Sequence, residues 1–318
     1  MDYPKSVANV GLVNGKFIDE DTTTGAVGSL IPAQWGNSIT DEILAVISAA
    51  GLTPSEDNNA QLLAALRAIN QKQMGAVTGG VRNARLLVTT AAASTTFTAD
   101  EVCVKSGLGS TSWMLSGFNK AINLSTVGAG GMDAGSAPTI GFVGLYAIYN
   151  PSTGANALLA VNAVTSVLPA IYSGENMPSG YTASALVSVL PTTSAGLFAP
   201  CQQTDNKVDI TNVLALTTAT PAGTTPITIA VTAFPKNARL VSGSTTVTST
   251  AASGMSITLY ASDAAVGRAI NNGTVTASGQ QTVPFSRVAV RTPQTLRYAS
   301  ANGAGSPTFV IEISSYEI

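Results

Sequence analysis

A chain of 318 residues has room for two or three domains, and its net charge of −2 with no histidine excludes several function classes. No bulk attraction to nucleic acid is expected, and Ser-His-Asp or Cys-His catalysis, histidine acid–base chemistry and histidine-ligated metal sites are removed. Charged residues make up only 10%, against roughly 25% in an average soluble domain, so the surface is covered by small polar residues or buried against identical subunits.

Residues 1–27 read as extended, with turn signals at Asn14-Gly15 and Gly25 and three consecutive threonines that disfavour helix. Met1–Lys5 carries no basic stretch leading into an apolar run, so no secretory leader is expected. No stretch approaches the roughly 18 apolar residues of a membrane span; synthesis in the cytoplasm and no membrane insertion follow as expectations.

Helical rhythm is confined to residues 28–69 and the few that follow. Ser38 or Thr40 is expected to cap a first helix with Asp41 and Glu42 in its first turn, where carboxylates suit the positive end of the helix dipole. Ile43, Ile47 and Ala50 share a face, Gly51 is placed to end the helix, and Pro54 follows. A second helix is expected from Asp57 or Asn58 to about Lys72, with Leu62, Leu66, Ile69 and Gln73 at coiled-coil spacing. About two heptads are too few for an independent coil. The stripe serves either packing within the subunit or a short trimeric neck built from Ile43, Ile47, Leu62, Leu66 and Ile69.

After a glycine-containing linker at Met74–Val81 the period becomes two. Leu86-Leu87-Val88 is a short apolar run, and Gly141–Tyr149 is a nearly continuous apolar strand with both faces covered. Asn150–Gly154 is a turn, and Asn156–Ala163 a return strand with Ala157, Leu159, Val161 and Ala163 on one face. A boundary is expected near Ala199–Lys207, dividing the chain into 1–73, 74–204 and 205–318. Beyond it, Ile227, Ile229 and Val231, then Met255, Ile257 and Leu259, then Phe309, Ile311 and Ile313 alternate with outward polar residues. The fold class expected is mainly β with a short α-helical N-terminal region and antiparallel β-sandwich, jelly-roll-like domains. Cys103 and Cys201 are isolated and are expected as buried free thiols, with a disulfide as the alternative.

Two stretches carry a resemblance. Gly28-Ser29-Leu30-Ile31-Pro32-Ala33-Gln34-Trp35, then Asn37–Leu44, Ala49–Pro54 and Asp57–Leu63 resemble the N-terminal region of tail fibre proteins of temperate tailed bacteriophages of Gram-negative bacteria. Gly128–Asp133, Gly141–Val143, Ala147–Pro151 and Tyr181–Leu186 look like the β domain that often follows it; the matches span roughly residues 10–200, and the last third is less familiar. The resemblance implies an elongated homotrimer in the virion, its N-terminus on the baseplate or tail tip and its C-terminus toward a bacterial surface receptor (pilus, lipopolysaccharide or protein). Ile31, Pro32 and Trp35 are candidates for baseplate attachment, with packing of Trp35 on its own helices as the alternative.

The chemistry in the sequence is sparse. Gly128–Asp133 invites a dinucleotide-loop reading, but no helix is expected after it; a surface loop is the simpler expectation, and no cofactor or metal is expected. A polysaccharide depolymerase generally needs two carboxylates about 5–10 Å apart. Residues 74–318 offer Asp100, Glu101, Asp133, Glu175, Asp205, Asp209, Asp263, Glu312 and Glu317. Asp100 and Glu101, being adjacent, face opposite sides of a strand. No catalysis is expected. A structural adaptor holding another fibre protein, and a depolymerase, stand as alternatives to adsorption. Exposed aromatics and arginines of the last third, Tyr260, Arg268, Arg287, Arg291, Tyr298 and Tyr316, are the candidate receptor surface.

Overall fold

The structure, a computed structural model, describes residues 4–73, 77–262 and 264–318. The linker residues Met74–Ala76, Asp263 and the side chains of Gln71, Lys72 and Gln73 lie outside the described residues. Two compact units divide the chain, Met1–Gly75 and Ala76–Ile318. The described residues are mainly β in antiparallel sheets, with two short helices.

In the first unit, Asn14 and Gly15 both take positive φ, 52° and 77°, and Val13 bridges Lys16 across them. That is the conformation an Asn-Gly hairpin turn adopts. Helix α1 runs Ala33–Ala49 and α2 runs Gln61–Gln73. The start of α1 corrects the expected cap. Pro32 is the N-cap, its fixed φ (−68°) and extended ψ (145°) delivering the chain into the helix without a side-chain cap. Ser38 and Thr40 lie inside the helix, where their hydroxyls donate back to the carbonyls of Gln34 (2.9 Å) and Gly36 (3.0 Å). The end of α1 is as expected. Gly51 takes φ 82°, and the amides of Gly51 and Leu52 donate to the carbonyls of Ser48 and Ile47, satisfying two orphan acceptors in a Schellman closure. Asn58 stands just outside α2, its Oδ1 accepting the Ala60 amide. Gln61 ties the intervening loop down, accepting from Ser55 N and donating to Thr53 O.

In the second unit the strands are β1 (Val81–Arg82), β2 (Arg85–Val88), β3 (Ser94–Lys105), β4 (Ser112–Asn123), β5 (Phe142–Tyr149), β6 (Asn156–Asn162), β7 (Ala183–Pro191) and β8 (Cys201–Thr204). They continue as β9 (Lys207–Thr218), β10 (Gly223–Ala230), β11 (Leu240–Ser249), β12 (Ser253–Tyr260), β13 (Arg268–Val275), β14 (Gln280–Ala289), β15 (Thr295–Asn302) and β16 (Pro307–Glu317). A twelve-stranded sheet has the path β14-β11-β16-β9-β8-β2-β3-β7-β5-β6, with β1 and β4 pairing β3, and a four-stranded sheet has the order β10-β15-β12-β13. The long path is articulated. One register pair, Arg85↔Thr98, joins β2 to β3, and one, Lys105↔Ser184, joins β3 to β7. Sheets this wide relieve their accumulated twist at such joints.

The continuous apolar strand is β5, buried at every residue but Tyr149. It pairs β6 on one side and β7 on the other. Residues 158–160 of β6 are all buried, so both faces of that strand are covered and the expected one-sided alternation of Asn156–Ala163 does not hold. Leu86 and Val88 of β2 face the core while Leu87 is exposed. Met255, Ile257, Leu259, Phe309, Ile311 and Ile313 are fully buried on the expected parity. Thr258, expected outward, is buried as well, and Ile227, expected in the core, is 41% exposed.

The expected division near residue 204 is bridged throughout. β8 and β9 are neighbours joined by a tight turn at Asp205, φ 50°. The Asn237 amide clasps the backbone of Leu168 in both directions, accepting from N (3.0 Å) and donating to O (2.8 Å). The Lys236 ammonium donates to Thr165 O at 2.7 Å. One apolar cluster runs from Ala84 to Tyr316.

Candidate assembly and recognition surfaces

The proposed neck residues separate into two groups. Ile47 is buried with Ala50 and Ala65, and Ile69 packs against them with Val46, Leu52 and Ala68. These close α1 on α2 within one subunit. Ile43, Leu62 and Leu66 are exposed, along with Leu44 and Leu63. Together with Pro54 and Asn58, Ile43, Leu44 and Leu62 line a groove of about 860 Å³. The apolar periodicity thus serves both a subunit core and an uncovered face.

Of the attachment candidates, Ile31 is 65% exposed, Pro32 caps α1, and Trp35 is half-buried. Trp35 meets Phe17 edge-on at 4.9 Å, so its ring packs on its own chain's N-terminal segment. Its indole Nε1 is buried without a hydrogen-bond partner among the described residues.

The aromatic half of the proposed receptor surface is buried, which corrects that expectation. Tyr316 is 1% exposed; its hydroxyl donates to Val189 O and its ring lies edge-on to Phe142. Tyr298 stands opposite Leu259 in the β12–β15 register and so shares the core face. Tyr260 does lie on the face opposite Leu259, as the alternation predicts, yet only 9% of it is exposed. Its register partners are Arg268 on β13 and Arg297 on β15, long side chains able to lie along a neighbouring ring. Arg268, Arg287 and Arg291 are exposed, and Arg287 pairs with Glu317 at 2.7 Å. The row Arg268–Tyr260–Arg297 therefore brings two arginines to one sheet face, Arg268 exposed and Arg297 half-buried and already engaged. Sequence reasoning missed Arg297, whose place beside Tyr260 comes only from strand pairing.

The carboxylates are largely engaged by neighbouring donors. Asp100 accepts from Asn83 Nδ2, Asp133 from the Tyr172 hydroxyl at 3.0 Å, and Asp205 from Ala84 N at 2.9 Å. Asp209 pairs with Lys207 at 2.6 Å. Burial, and then the hydrogen bond to Asp133, push the Tyr172 phenol up to about 12. Gly128–Asp133 is no free surface loop. Met132 is fully buried, Gly130 N and Asp133 N donate to Leu158 O and Ala160 O, and no helix follows. A Cβ on Gly131 would sit 2.4 Å from Thr126 O, so the glycine is required by close backbone packing. Cys103 and Cys201 are free and buried, and burial pushes the Cys201 thiol up to about 12, which makes it inert.

No protein-family model matches the chain, and no curated protein does. Among solved structures it is similar to a chain in the structure of infectious bursal disease virus Gx strain, at 11% identity and a TM-score of 0.21. That alignment covers 76% of this chain and 69% of the other, and at such a TM-score it carries no argument.

Proposed function

We propose that this chain is a homotrimeric tail fibre protein of a temperate tailed phage, fixed to the baseplate or tail tip by its N-terminal unit and adsorbing to a bacterial surface without catalysis. The observation that carries the reading is the ordered set of motifs within residues 28–69 that resembles phage fibre N-termini. The uncovered apolar face of Ile43, Leu62 and Leu66 supports self-association there, because exposed apolar patches on helices mark partner surfaces. In the last eight strands, β9-β16-β11-β14 lies in one sheet and β10-β15-β12-β13 in the other, an order that supports a jelly-roll reading of residues 205–318. The exposed guanidinium of Arg268, on the edge strand beside Tyr260, supplies a cationic contact suited to the phosphates of lipopolysaccharide. Three linked copies would raise the effective affinity of weak sites by orders of magnitude.

Binding of the fluorescently labelled protein to Gram-negative cells, with its mass measured by light scattering, tests the reading. Cell-surface binding by a particle of three subunits is expected. Absence of binding with capture of a second virion protein would replace adsorption by an adaptor role. New reducing ends released from host polysaccharide would replace it by depolymerisation.

A further inference from the structure

The last eight strands leave one side uncovered. β9 pairs β8 only as far as Ile210, so residues 211–218 are a free edge of the large sheet. β10 is the outer strand of the small sheet, and among the described residues no other strand pairs with either edge. Val213 stands opposite Ile313, and Ile227 opposite Tyr298. Both partners are core residues, at 0% and 4% exposure. Paired residues share a face in an antiparallel sheet, so Val213 and Ile227 both stand on core faces. They are nonetheless 37% and 41% exposed, and Leu214 on the other face of β9 is 54% exposed. Core-facing surface of both sheets is therefore open to water along this edge.

The chemistry of the edge is unusual. Residues 210–235 contain no charged side chain, whereas solitary edges are usually guarded by lysines or inward charges. Strand addition is nevertheless obstructed. The β9 register breaks between Val213 and Asp209, and β10 carries Pro226 at its own register break, which removes a donor and bends the edge. Side-chain packing is the way such an edge is covered.

We infer that the β9–β10 edge is a subunit interface, covered in solution by a second copy of this chain. An uncharged, Thr- and Ala-rich surface offers nothing for a charged partner to pair with, and depletion of charge is what the centres of homo-oligomer interfaces show. Cyclic symmetry then repeats the same contact around the assembly. The inference rests on the homotrimeric reading and places one of its contacts far in sequence from the helices.

Thiol labelling tests it. Leu214→Cys, Ile227→Cys and a control, Leu108→Cys in the turn between β3 and β4 (77% exposed), are each labelled with a maleimide in the native full-length protein, and the mass is read by light scattering. The buried native cysteines supply the slow background. Labelling at 214 and 227 at least about tenfold slower than at 108, in a particle larger than the 32.1 kDa chain, is expected. Equal rates in an oligomer overturn this interface and leave the trimer standing. Equal rates in a monomer overturn both, and slow labelling in a monomer overturns the interface by making the protection internal. Should either cysteine variant misfold, Leu214→Asp at the same exposed position reads the contact through the mass on dilution: a lower mass supports the interface, and an unchanged one overturns it.

Discussion

The phenol oxygen of Tyr316 lies 2.6 Å from the carbonyl oxygen of Val189, 127 residues earlier in the chain. The bond is buried and joins the last strand to β7, across the stretch where composition suggests a domain boundary. Tyr316→Phe leaves the Val189 carbonyl without this donor in a dry site, which costs about 1–3 kcal/mol. Denaturant unfolding followed by tyrosine and by tryptophan signals should show a lower midpoint and still one transition for residues 77–318, because one core links both sides. Separate transitions would mean that the two halves fold as independent domains.

A second prediction concerns Gly243. β11 meets β14 and β16 with register shifts on both sides of Ser242, whose hydroxyl accepts the Arg287 amide at 3.0 Å. Arg287 itself takes φ 53°. A Cβ at Gly243 would sit 1.9 Å from the Glu312 carbonyl oxygen, and backbone in the middle of a sheet cannot move aside. Gly243→Ala is expected to lower stability by about 3 kcal/mol. At Gly254 a Cβ meets nothing within 4 Å; there the same substitution should be neutral or stabilise by up to about 1 kcal/mol through the unfolded chain. Thermal melts of the two variants check the contrast.

These cases show how far the sequence is legible. Local chemistry reads well: Asn14-Gly15 makes its turn, Gly51 ends its helix, and Met255, Ile257 and Leu259 take the core face. What periodicity leaves open is the identity of the neighbour. Ile43 and Ile47 share one apolar stripe, but only Ile47 reaches the subunit core. Tyr260 has outward parity, yet Arg297 is brought beside it by β15, which does not neighbour β12 in the chain. Ile227 has core parity and is exposed because β10 is an outer strand. Tyr316 is buried because residues from the far side of the supposed boundary close over it. Such facts belong to strand order, which a single alternating pattern does not encode.

For the helices, the division between subunit core and open face gives opposite outcomes. Leu62→Asp or Leu66→Asp places charge on a surface already in water, so the folding of the subunit is preserved while association at that face is lost. Ile47→Ala removes buried apolar volume and should cost about 2–4 kcal/mol in the N-terminal unit. Light scattering and helical circular dichroism read the two effects separately. Loss of helix in Leu66→Asp would show that the face is needed within the subunit.

For recognition, Arg268→Ala should weaken cell binding by roughly tenfold, since arginines at such contacts carry about 1–2 kcal/mol. Arg287→Ala, which removes an exposed ion pair to Glu317, should have little effect. Raising ionic strength should mimic the first variant, because charge attraction at an open surface is screened. Cell binding that ignores both salt and Arg268 would move the receptor contact elsewhere.

Alkaline pH offers the last test. Burial raises Cys201 from 9.0 to about 12, and Tyr172 from 10.0 to about 12 with help from its bond to Asp133. Tyr316, enclosed completely, is raised well above 10.0. Between pH 9 and 12 the unfolded chain releases protons that the folded chain retains, so the unfolded state binds fewer protons and stability falls as pH rises. The stabilising contribution of these groups is complete below pH 9 and is lost through their folded values. Cys201→Ala should flatten the decline that begins near pH 9, and Tyr172→Phe the part that begins near pH 10. Urea midpoints measured from pH 8 to 11.5 give the slopes directly, and slopes identical to the parent protein would mean that neither group keeps its proton by being folded.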